Sequence, residues 1–137
     1  MPLLLVRHAS AGSREDWPGD DHLRPLDKRG WKQVAALVDL LADFPVDRIL
    51  TSPYLRCVDT IEPVANTRGL PVEERDELSE ERHMTDGIEL VRSVAGSDVV
   101  ICGHGGLELA IPGAPRWKKG AIFVVGPNLE LLEVRRA

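Results

Sequence analysis

Apolar residues along this chain fall into short unbroken runs, separated by stretches where they recur every third or fourth position. Residues 3–6 form a continuous apolar run, and residues 98–102 repeat the pattern; both suit strands buried on two faces. Residues 9–24 are polar and rich in Gly, Asp and Ser, which predicts a long loop. Asp27 then reads as a helix N-cap, and Trp31, Val34, Val38 and Leu41 share one helical face that ends near Phe44 and Pro45. Residues 48–51 predict a second strand. Ser52 follows as the expected cap of a helix with Pro53 in its first turn, burying Leu55, Val58, Ile61 and Ala65 and running to about Asn66. Pro63 should bend that helix or end it early. Residues 70–73 predict a short edge strand, Thr85 or Asp86 starts a third helix, and residues 121–125 and 129–134 predict a hairpin closed by Gly126, Pro127 and Asn128. Strands alternating with helices give an α/β fold: three layers, a central mostly parallel sheet, helices on both faces and a terminal hairpin.

Composition narrows the class without naming it. The 137 residues fit one domain, 1–137, and 43% hydrophobic with 28% charged residues is ordinary for a globular protein. No apolar run approaches the roughly 20 residues of a membrane span. The start lacks the basic region of a signal peptide, so a cytoplasmic protein with two free thiols, Cys57 and Cys102, is expected. A formal charge of −5 argues against general nucleic-acid binding. Arg116, Lys118 and Lys119 make a small basic cluster, read as a solvated loop. Any bound anion must therefore be held by a local site and not by the overall field.

That site is expected beyond the carboxyl ends of the strands. Arg7 and His8 follow the first strand, Arg56 follows the second, and Gly103, His104, Gly105 and Gly106 follow the fourth. A neutral imidazole attacks phosphorus, guanidinium groups grip phosphoryl oxygens, and a second histidine donates to the same oxygens. Glu80 and Glu81 lie in a polar loop able to fold over such a site and supply a proton. His22 and His83 have no partner pattern and are read as exposed loop residues. Asp20, Asp21 and His22 match no metal-ligand spacing, and Asp21 is read as a loop-ordering residue. Trp31 is read as core, Trp117 as either core or pocket rim, and Cys102 as a buried neighbour of the site.

Leu5-Val6-Arg7-His8-Ala9 resembles the Arg-His-Gly signature of the histidine phosphatase (phosphoglycerate mutase-like) superfamily. The segment from Ser52 to Thr60 resembles its Ser-Pro-x-x-Arg-x-x-x-Thr motif, Leu78-Ser79-Glu80 its Leu-x-Glu, and Gly103-His104-Gly105-Gly106 its second histidine motif. Arg24 to Gly30 also matches a segment common there, and the short length is most similar to the SixA-type phosphohistidine phosphatases. A similar domain occurs fused behind Nudix hydrolase domains. The resemblance implies a phosphoglycerate mutase-like fold, phosphorylation of His8, and a phosphoryl group bound by Arg7, Arg56 and His104. It implies an acid at Glu80, with Glu81 adjacent, and neither metal nor organic cofactor. Ala9 stands where the family carries glycine and Ala11 where many members carry threonine, which leaves Ser10 as the substitute phosphate ligand. The implied protein is a monomeric phosphatase acting on phosphohistidine in a phosphorylated protein, or on a small phosphorylated molecule. A catalytically weak phospho-binding module is the alternative from another class; a mutase and a metal-dependent hydrolase are further options.

Overall fold

The computed structural model describes residues 2–137. Six strands, β1 (Leu3–Arg7), β2 (Arg48–Thr51), β3 (Val72–Glu74), β4 (Val99–Gly103), β5 (Ala121–Val125) and β6 (Leu131–Arg136), form one sheet in the order β3-β2-β4-β1-β5-β6. The first four in that order run parallel, while β5 and β6 add antiparallel at one edge. The expected α/β architecture with its terminal hairpin is therefore present.

Alternation along each strand divides the core in two. Leu3, Leu5, Ile101 and Phe123 point to the face covered by Val91, Leu107 and Trp117. Leu4, Val6, Ile49, Val100 and Ile122 point to the other, against Leu37, Leu41, Ile61 and Val64. Each such aliphatic side chain contributes about 1.5–3 kcal/mol by leaving water. Among the described residues no helix is long and apolar enough to cross a membrane.

The helix α1 (Lys28–Leu40) starts where predicted, with the Asp27 carboxylate accepting from Gly30 N at 2.8 Å. Its phase is turned only slightly from the prediction: Val34, Val38 and Leu41 pack inward as expected, but Trp31 is 48% exposed, and Gly30, Gln33 and Leu37 are buried instead. Gly30 sets that phase, because a Cβ there would lie 2.0 Å from the Ser10 carbonyl oxygen. With Gly30 against the loop, the next residue is carried about 100° round the axis and into water.

The helix α2 (Leu55–Arg68) also departs from expectation at its start. Tyr54 occupies the N-cap position with no side-chain cap, and the Ser52 hydroxyl is instead engaged by His104. Arg56, Cys57, Thr60, Ile61, Val64 and Ala65 are buried, whereas Leu55 and Val58 are only half-buried. Pro63 does not end the helix, which stops at Gly69 in the left-handed conformation. The helix α3 (Ile88–Ser93) continues a wide π turn, His83–Gly87, so winding begins before the expected Thr85. The helices α1 and α2 cover one face of the sheet and α3 the other. Beyond the ends of β1, β2 and β4 the chain turns into the site.

Candidate active site

His8 leaves the end of β1 with its backbone N–H still donating to Gly103 O of β4, at 3.1 Å. The side chain is 4% exposed, and Nδ1 donates to the Ala9 carbonyl at 2.8 Å. A carbonyl only accepts, so the proton sits on Nδ1 and the lone pair on Nε2. Burial, reinforced by His104, Arg56 and Arg7 and opposed by the Ala9 hydrogen bond, holds its pKa well below the usual histidine value. The result is a neutral imidazole beside two guanidinium groups. The Ala9 N–H donates to Thr60 Oγ1 at 2.9 Å, and Thr60 donates in turn to Arg56 O at 2.6 Å, which ties the loop after β1 to α2.

His104 is 2% exposed and its ring centroid lies 5.6 Å from that of His8. Ser52 Oγ accepts from Tyr54 N at 3.3 Å and lies 2.8 Å from His104 Nε2. Where the hydroxyl donates to Nε2, the imidazole proton sits on Nδ1. Arg56, only 1% exposed, donates through Nη1 to Asp21 O and through Nη2 to Asp21 Oδ2 and Glu80 Oε2, at 2.9, 3.2 and 2.9 Å. Arg7 donates through Nη1 to Trp117 O at 2.8 Å and lies flat against Gly105, where a Cβ would meet its Cζ at 3.0 Å. Among the described residues four buried side-chain polar atoms have no hydrogen-bond partner, and three are Arg7 Nε, Arg56 Nε and His104 Nδ1. The two guanidinium nitrogens are donors, His104 Nδ1 is a third when Ser52 donates to Nε2, and their residues line one cleft of about 570 Å³ with His8. Unpaired buried donors are costly, so three beside one neutral histidine describe a cradle for an anion.

The family model of the histidine phosphatase superfamily (branch 1) matches residues 3–86. The chain belongs to this superfamily. An 8-oxo-(d)GTP phosphatase of Mycolicibacterium smegmatis is 37% identical over 120 residues, which cover 84% of this chain and 36% of that protein. The chain thus spans about a third of that relative's length. Among solved structures, the protein histidine phosphatase SixA complexed with tungstate has a TM-score of 0.81 at 20% identity, over 99% of this chain and 97% of that one. SixA from Agrobacterium tumefaciens has a TM-score of 0.80 at 22% identity, over 99% and 97%. These two likenesses show a shared fold.

In this histidine phosphatase chain Arg7, His8, Arg56, Glu80 and His104 line one cleft, as their positions at strand ends suggested. Glu80 and Glu81 part company. Glu80 lines the cleft, accepting from Arg56 and from Arg14 Nη2 at 2.5 Å; Glu81 turns away and accepts from the Tyr54 hydroxyl. Ser10 is not brought to His8. Its hydroxyl donates to Asp27 Oδ2 at 2.8 Å and it lines a neighbouring cleft, so it braces the start of α1. His83 is a correction: far from exposed, it is 6% accessible, with its ring nitrogens 3.0 Å from Glu80 O and 2.9 Å from Gly105 O. It braces the Glu80 loop against the loop after β4. Trp31 is likewise corrected from core to surface, and Trp117 is core. Cys57 and Cys102 are free and buried, and burial raises the Cys102 thiol pKa. Among the described residues no three His, Cys, Asp or Glu side chains gather as a metal-binding group.

Sequence reasoning gave no role to Arg14, Arg24 or Lys119, which also line the cleft. Asp21 organises three arginines: its carboxylate accepts from Arg24 Nε at 3.0 Å and from Arg56, and lies 3.5 Å from Arg14. Partial burial opposes its ionisation, but Arg24, Arg56 and Arg14 outweigh that and hold its pKa below the usual carboxylate value. The segment from Arg24 to Gly30 was the available signal for Arg24. Arg14 sits in an aperiodic polar loop that carries none.

Proposed function

We propose that the protein is a phosphatase that works through a phosphohistidine intermediate on His8. The observation that carries this reading is the neutral imidazole of His8, lone pair on Nε2, in one cleft with Arg7, Arg56 and His104, whose Arg7 Nε, Arg56 Nε and His104 Nδ1 have no partner. In the first step Nε2 attacks phosphorus, an N–P bond forms, and the bond to the leaving group breaks. The three donors take up charge on the phosphoryl oxygens. The Ala9 carbonyl, holding Nδ1–H, supports the positive charge on the phosphorylated ring. A leaving oxygen takes its proton from Glu80, which lines this cleft and accepts from Arg56. In the second step water attacks phosphorus, its proton passes to Glu80, and the N–P bond breaks to restore neutral His8.

Two substrate classes follow. Phosphohistidine is supported by the shared fold with SixA phosphatases, and neutral imidazole departs with little help from an acid. Small phosphate esters, nucleotides among them, are supported by the relative named for 8-oxo-(d)GTP. The same reading makes the protein a cytoplasmic monomer with no metal or organic cofactor. The test is hydrolysis of p-nitrophenyl phosphate and of phosphoramidate, with and without chelator, by wild type and His8→Ala. Turnover that survives chelator and is lost in the variant supports the reading. Phosphate binding without turnover in wild type replaces it with a phospho-binding module.

A further inference from the structure

Beside the His8 cleft lies another of about 650 Å³, and its walls carry Arg7, Arg29, Arg116, Lys118, Lys119 and Arg136. These cations come from four parts of the chain: the end of β1, the first turn of α1, the loop before β5 and the end of β6. No aspartate or glutamate side chain lines the cleft; the carboxylate there is the terminal one of Ala137, a single negative charge against six positive. Among the described residues none of the six makes an ion pair. The chain has 22 acidic residues against 17 Lys and Arg, so carboxylates are not scarce. Eight other arginines find one, including Arg48, Arg75 and Arg92 on the open surface. Gathering six unpaired cations in one concavity costs Coulomb energy that a bound polyanion offsets. The strain is visible in two of them. Burial and the charges of Arg116 and Arg56 depress the Arg7 pKa against the pull of Glu108; burial and Arg7, Arg24 and Arg56 depress that of Lys119 against Asp27.

The cleft is joined to the catalytic one, since Arg7 and Lys119 line both. It is also anchored to it. Trp117 is buried, donates its indole N–H to Ala121 O at 3.1 Å, and receives Arg7 Nη1 on its carbonyl at 2.8 Å. Gly120 N lies 3.2 Å from both Arg7 O and His8 O. Arg116, Lys118 and Lys119 are therefore carried on a loop pinned to the residue that precedes the nucleophile, and are more than the solvated cluster read from sequence.

We propose that this cleft is a subsite for further phosphate groups of the substrate, so that the protein favours small molecules carrying two or more phosphates. One phosphoryl group reacts at His8 while the others rest among Arg29, Arg116, Lys118 and Arg136. Volume favours a small ligand, because the cleft falls within the roughly 300–1,000 Å³ of small-molecule sites. Its charged walls suit the anionic end of such a ligand and no apolar ring. The proposal rests on the phosphatase reading for its catalytic half, but binding tests it separately.

The experiment compares wild type with Arg116→Gln/Lys118→Gln and with Arg29→Gln, all exposed positions outside the His8 cleft. Inorganic tripolyphosphate is titrated by calorimetry, and kinetics are measured on p-nitrophenyl phosphate and on ADP. Expected are a rise of about tenfold or more in the tripolyphosphate Kd and in KM for ADP, with kcat and KM for p-nitrophenyl phosphate unchanged. Equal losses on both substrates, or none on tripolyphosphate, overturn the subsite. A rise in KM confined to a phosphohistidine-bearing protein also overturns it, in favour of an acidic protein surface. If wild type hydrolyses nothing, the phosphatase reading fails, and the calorimetry still decides the subsite.

Discussion

Replacing Ser52 by alanine removes one oxygen that is absent from the proposed phosphate cradle but selects the nitrogen of His104 that bears the proton. Ser52 Oγ accepts from Tyr54 N and, by donating its own proton to His104 Nε2, would place the ring proton on Nδ1. Without it, the neighbour of Nε2 is Cys57 Sγ at 3.7 Å, a weak partner. The ring is then free to carry its proton on Nε2, where it no longer meets a phosphoryl oxygen. One hydrogen bond to a charged group is worth about 1.5–3 kcal/mol. At about 1.4 kcal/mol per tenfold change in rate, kcat should fall about 10- to 150-fold. KM should move little if the bond strengthens mainly as charge develops in transfer. The dry site also keeps two polar atoms that have lost a partner, so unfolding should cost about 1–3 kcal/mol less in a urea titration. Steady-state kinetics on p-nitrophenyl phosphate reads the first effect. A kcat within about twofold of wild type, in a variant that folds, refutes the tautomer assignment.

Glu80→Gln should lower kcat on an alkyl phosphate about 100-fold or more and slow release of phosphate from phosphohistidine, while the rate at which phosphoramidate labels His8 stays near wild type; Glu81→Gln should leave all of these within about twofold, and rapid-quench labelling beside initial rates on the two substrates decides it. Because the folded pKa of His8 is depressed below its ordinary 6.5, the unfolded chain binds the extra proton first as pH falls. Stability is therefore full above about pH 6.5 and declines below it by up to about 1.4 kcal/mol per pH unit, a slope that urea titrations should find reduced in His8→Gln. Gly30→Ala forces a Cβ against the Ser10 carbonyl and should destabilise by about 3 kcal/mol or more, so an unchanged Tm contradicts the packing described. Trp31→Ala should cost about 0.5 kcal/mol or less, against about 3–5 kcal/mol for Trp117→Ala, by the same melting measurement.

Strands buried on both faces write themselves as unbroken runs of Leu, Ile and Val, which is why β1 and β4 are legible in the sequence. The phase of α1 is legible only in part: Val34, Val38 and Leu41 are, Trp31 is not. Trp31 satisfies the helical spacing as well as Leu37 does, and the choice between them lies in contact between Gly30 and a loop far away in the chain. Ser52 has the composition of a cap, but a histidine from β4 claims its hydroxyl. The same division holds at the site. Arg7, His8 and His104 are readable because strand ends converge in an α/β sheet, whatever the loops between them do. Arg14, Arg24 and Asp21 matter through charge pairs with partners in other segments, which no local pattern records. His83 looks like a surface residue until the two carbonyls it bridges are seen together. The basic cleft is the extreme case: residues 116–119 supply three of its cations, and positions 7, 29 and 136 supply the rest.

The proposed catalysis turns on a covalent bond between phosphorus and His8 Nε2. Rapid quenching of the protein with a ³²P-labelled phosphate ester, followed by peptide mapping, reads that bond directly. The expected result is an acid-labile, base-stable label on the peptide containing His8, rising before steady-state turnover and missing in His8→Ala. Turnover in wild type with no label on His8, or a label that persists in His8→Ala, contradicts it.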